Sequence, residues 1–183
     1  MKINIKQINI KQIAFVAFGL IIITAIFALT QLNVATAAKQ DGKKFDDWVV
    51  ACTPKNEKTK TPETCLLTQQ INISQDDKQQ PIALFQIGYF GSKKELKLIQ
   101  TLPLGVSIQA GTSIISSKKL IAPGKYTTCL NNGCNAVAPI SNADLKTLLS
   151  NAENSVAFMN LEGKQITLPL STKGLEQGLK YIK

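Results

Sequence analysis

The chain has 183 residues and a formal charge of +9, carried by 21 lysines against 12 acidic residues, with neither histidine nor arginine anywhere. Those two absences exclude Ser/His catalysis, histidine metal centres and bidentate arginine clamps on phosphate or carboxylate. The length accommodates one domain of ordinary size, less whatever is removed by processing.

Lys2, Lys6 and Lys11 precede an uncharged apolar run from Ile13 to Thr30, and Ala35 and Ala37 follow at small-residue positions. Basic start, apolar middle and small-residue exit predict a secretory signal peptide over residues 1–37, cleaved after Ala37. The run has 18 residues, which also suits a retained membrane anchor; membrane contact is then expected through this segment alone. With no cysteine at the exit, a lipid-anchored form is not expected. The chain is therefore placed in the periplasm, or secreted and associated with the outer surface.

Residues 38–44 read as a flexible lead, and residues 45–183 as one β domain. WVVAC and CLLTQQINIS are the first two strands, separated by the charged loop TPKNEKTKTPET. PIALFQIGYF is apolar on both faces, which suits a central strand. LKLIQT alternates before Pro103 interrupts pairing. SIISSKKLI and YTTC flank APGK, which reads as a turn. SNADLKTLLSN predicts a short helix capped by Ser141, with Asp144 at its third position and Leu145, Leu148 and Leu149 inward. VAFMNL and QITLPL are two further strands, and the last segment suits a helix with Leu175, Leu179 and Ile182 on one face, weakened by Gly174 and Gly178. About eight short strands with one or two short C-terminal helices predict a mainly β, single sandwich-like domain.

Cys52, Cys65, Cys129 and Cys134 admit three pairings. CLNNGC has four residues between its thiols and lies between strands, unlike the two-residue spacing of redox motifs at helix starts. A four-cysteine zinc site is disfavoured in an oxidising compartment, so no metal or cofactor is expected. Local pairing is expected, with Cys129 and Cys134 closing a hairpin tip. A two-residue turn at Asn132-Gly133 would put Cys129 opposite Ala136, whereas a four-residue loop from Leu130 to Gly133 puts the cysteines opposite each other.

FDDWVVAC, CLLTQQ, TLPLGVSIQAG, CLNNGC and LPLSTKGLEQGL, in this order, resemble the invasion-associated locus B family of exported bacterial proteins from about Phe45 onward. The resemblance implies an immunoglobulin-like β-sandwich with two local disulfides, Trp48 as the early tryptophan, and an association with host-cell entry. It carries over no catalytic residue.

Trp48 is expected in the core rather than stacking on a ligand. Asp46 and Asp47 lack the further oxygen ligands of a calcium site and are expected in solvent. Lys93, Lys94, Lys97, Lys118 and Lys119 are candidates for an anionic surface, lipid or polysaccharide, against solubility and edge protection as the alternative. Nucleic acid is not expected without arginine or aromatics beside the lysines. Asn72-Ile73-Ser74 fits a glycosylation triplet but falls inside a predicted strand. The expected role is non-enzymatic binding of an envelope or host-surface component, through loops such as Phe90 to Glu95; the alternative is a structural or stress-protective periplasmic factor without a specific ligand.

Overall fold

The computed structural model describes residues 39–60, 62–75, 78–150 and 153–183. The expected signal peptide, or anchor, and its exit at Ala37 lie outside these. Among the described residues no helix is long and apolar enough to cross a membrane.

The strands are β1 (Lys44–Phe45), β2 (Trp48–Thr53), β3 (Thr64–Gln75), β4 (Lys78–Phe90), β5 (Glu95–Leu102), β6 (Thr112–Ser116), β7 (Lys119–Leu130), β8 (Gly133–Pro139), β9 (Asn154–Met159) and β10 (Gln165–Pro169). The helices are α1 (Asn142–Ser150) and α2 (Leu175–Ile182). Every pairing is antiparallel, in the order β1-β2-β3-β4-β5-β8-β7-β6-β9-β10. The fold is mainly β and sandwich-like, with β4 central as its two apolar faces require.

β7 joins the two leaves of the sandwich. Its first half pairs with β6 up to Thr112↔Gly124, and its second half pairs with β8 from Lys125↔Val137 onward. APGK therefore lies inside a strand, at the place where it changes leaf. The turn falls instead at Ser117 and Lys118, both at positive φ, 46° and 65°. Tight hairpins want such angles but usually take Asn or Gly for them, so Ser-Lys gave no turn signal. At the crossing, a side chain on Gly124 would run into the Thr112 hydroxyl and the Gln100 amide.

β8 was also hidden, because Ala136 and Ala138 carry little strand propensity. Both are fully buried. Across the inner face Gln69, Phe85, Gln100, Ala136 and Tyr126 stand in register on five neighbouring strands. The small Ala136 thus sits between two long side chains. Trp48, Phe85 and Leu98 from one leaf share a single core with Ile114, Val156 and Phe158 from the other.

Burial pushes the Tyr126 phenol from its ordinary value of 10.0 up to about 12. The folded protein then keeps a proton that the unfolded chain has released, so stability is full below pH 10 and declines as pH rises towards 12. Tyr126→Phe should remove this part of the alkaline decline and change little at neutral pH, since the hydroxyl makes no protein hydrogen bond among the described residues. Urea midpoints of the two proteins, compared at neutral and alkaline pH, test this; parallel declines would refute it.

α1 starts where its sequence says. Ser141 Oγ accepts from the Asp144 amide at 3.1 Å, and Asp144 Oδ2 accepts from the Ser141 amide at 2.9 Å, a reciprocal cap. Leu148 is buried, with Leu145 and Leu149 packed partly against the core. α2 buries Leu175, Leu179 and Ile182 as its spacing predicts. Gly178 is there for approach: a Cβ would come within 2.6 Å of Leu67 Cδ1 on β3. Its low helix propensity is accepted in exchange for close packing.

Candidate functional site

The structure joins Cys52 to Cys65 and Cys129 to Cys134, each pair directly opposite across its two strands with Cα atoms 4.0 Å apart. The tip of CLNNGC is shorter than the four-residue loop. Pairing continues to Leu130↔Gly133, leaving Asn131 and Asn132 as the turn. Gly133 takes the left-handed backbone, φ 133°, that a two-residue turn at Asn132-Gly133 would have shared between two residues.

The two ends of the domain close on each other. Trp48 Nε1 donates to the Ser171 carbonyl at 3.0 Å, and the Ser171 amide donates to Gln69 Oε1 at 3.1 Å. Ser171 Oγ donates to Asp47 Oδ2 at 2.5 Å, so Asp47, although exposed, has a structural partner rather than solvent alone. Phe45 and Tyr181 rings meet at 5.4 Å, and the Lys43 ammonium lies 4.2 Å from the Tyr181 ring centre. FDDW and LPLSTKGL are thus the two sides of one seam.

Beside this seam lies an open groove of about 500 Å³. Three stretches of chain meet in it: Pro62 to Cys65 leading into β3, Gly91, Ser92 and Lys94 of the β4–β5 turn, and Ile182 and Lys183 at the end of α2, with Lys39 completing the wall. Lys39 Nζ donates to the Ile182 carbonyl, and the Lys94 backbone N–H donates to the Gly91 carbonyl at 3.1 Å. Among the described residues Lys94 and Lys183 have no ion-pair partner. The Cys52–Cys65 bridge fixes the wall that carries Cys65 and Glu63.

The five candidate lysines do not form one patch. Lys94 lines the groove and Lys93 is exposed beside it on the same turn. Lys97, on β5, bridges to Glu95 at 3.1 Å. Lys118 and Lys119 stand at the separate β6–β7 turn, where Lys118 lines a shallow recess together with Glu153. Lys39 and Lys183 carry no sequence signal, because the groove is closed by residues 144 positions apart, at opposite ends of the described residues, and no local pattern links them. Glu63 lies near the sulfurs of Cys52 and Cys65, a set of metal-ligand residue types. Those sulfurs are spent in the disulfide and offer no thiolate.

Fold and site together define a disulfide-stapled β-sandwich with a groove at one end whose lining includes three lysines. The profile of the family described as "Invasion associated locus B (IalB) protein" matches residues 48–183, and the chain belongs to that family. The crystal structure of invasion associated protein b from Bartonella henselae is similar to it, with a TM-score of 0.63 at 13% identity, covering 76% of this chain and 92% of that one. At that identity the likeness speaks for the fold. No curated protein matches the chain in sequence.

Proposed function

We propose that this protein works outside the cytoplasm as a non-enzymatic binding protein, presenting the end that carries the β4–β5 turn to an envelope or host-surface component. The observation that carries this reading is the division of labour among its residues. FDDW, the four cysteines and LPLSTKGL are engaged in the bridges and in the seam, whereas Lys94 and Lys183 on the groove are exposed and, among the described residues, without an ion-pair partner. Family membership supports export and an association with invasion, and two disulfides suit an oxidising compartment. A sequence without histidine or arginine supports binding over catalysis.

Capture with the oxidised protein from envelope and host-cell surface fractions tests the proposal. A component retained at physiological salt, and released by substitutions around the β4–β5 turn, is the expected result. Retention of nothing above background would remove it, and a leaky envelope with normal host-cell entry in a deletion strain would favour a structural role.

A further inference from the structure

We infer that the groove between α2 and the β4–β5 turn is a binding site for a sulfated or phosphorylated sugar. The inference rests on the binding role proposed above and names the chemistry of its ligand. Three lysines, Lys39, Lys94 and Lys183, and one carboxylate, Glu63, line this groove. A terminal carboxylate on Lys183 would still leave cations in the majority. The ligand is therefore anionic. Lysine presents compact charges that rotate to meet an anion and binds phosphate as a point charge, without the planar fork with which arginine grips carboxylate and phosphate alike. Such a set suits tetrahedral groups carrying several oxygens, which sulfate and phosphate esters supply.

The remaining lining argues for a sugar as the carrier. A recess of about 500 Å³ is the size of a small-ligand site, and a flat bilayer surface does not enter it. Tyr89, half-buried against the core, lends an aromatic surface to the wall, and Ser92 lends a hydroxyl. The walls are preorganised: the disulfide holds one, the Lys39 bond to Ile182 a second, and the Gly91–Lys94 turn the third. Preorganisation reduces the entropy lost when a flexible lysine closes on a ligand. The Lys118 recess lacks this bias, because Glu153 offsets its lysine.

Titration calorimetry of the oxidised protein with a heparin-derived sulfated disaccharide, and with the same disaccharide desulfated, tests the inference. Binding of the sulfated form should be at least tenfold tighter and should weaken as salt rises. Lys94→Gln and Lys183→Gln should each weaken it several-fold, while Lys118→Gln with Lys119→Gln leaves it unchanged. Lys94 is exposed on a turn, so its variant keeps the fold, which far-ultraviolet circular dichroism verifies. Equal affinity for the two disaccharides, no binding of either, or equal weakening by the Lys118/Lys119 pair would overturn the site. Adhesion to phosphatidylglycerol vesicles that Lys94→Gln abolishes, with no sugar bound, would assign the groove to a membrane surface instead. If the sugar fails while a component is still captured from envelope or host fractions, this inference falls and the binding role stands; if both fail, both fall.

Discussion

Replacing Cys52 and Cys65 together by alanine should lower stability by about 3 kcal/mol. The bridge closes a loop across a sequence separation of 13, and the chain-entropy relation assigns a loop of that size about that much restriction of the unfolded state. The Cys129–Cys134 bridge closes a separation of only 5, and the same relation gives about 2 kcal/mol. The difference extends to the groove. Without the first bridge, the stretch through Pro62 and Glu63 is held to β2 only by strand pairing, so groove ligands should bind more weakly. Loss of the second bridge, at a distant hairpin, should leave them untouched. Urea denaturation of the two double variants ranks the bridges, and a larger loss from the hairpin bridge would contradict the loop-length argument.

Trp48→Ala should destabilise the protein by about 3–5 kcal/mol, the range for truncating a fully buried large aromatic. Trp48 is 0% exposed and lies under the C-terminal segment, to which its indole N–H is bonded through Ser171. Trp48→Phe keeps most of the packing and loses that hydrogen bond, so about 1 kcal/mol of hydrogen bonding adds to a smaller loss of volume. As the only tryptophan, Trp48 also reports on its own surroundings. Its emission should be blue-shifted in the native protein and move to the red in one transition on unfolding. An alanine variant as stable as the parent would mean that the seam collapses around the gap.

Much of the fold was legible because single residues declare themselves. Ser141 and Asp144 announced the start of α1, Pro103 the end of β5, and alternation along PIALFQIGYF the inward row of Ala83, Phe85 and Ile87. What stayed hidden depended on partners distant in sequence. APGK has turn composition, yet Gly124 is glycine because Thr112 and Gln100 press on it from other strands. Gly178 looked like a weak point in a helix until Leu67 occupied the space above it. CLNNGC revealed which cysteines oppose each other, but one further strand pair shortened its tip, since neither asparagine needs a left-handed backbone when Gly133 takes it. At the candidate site the sequence offered Lys94 as one charge among many. Its companions Lys39 and Lys183 come from the opposite ends of the domain, where only tertiary structure could place them.

The seam joins parts of the chain that lie 123 residues apart. Trp48 is made early, well before its cover, Ser171 and the helix that packs Gly178 onto Leu67. No partial product can bury the tryptophan, and the pairings that close the domain span most of its length, which makes folding slow and delayed. Truncation just before Ser171 should therefore leave Trp48 uncovered and the seam open.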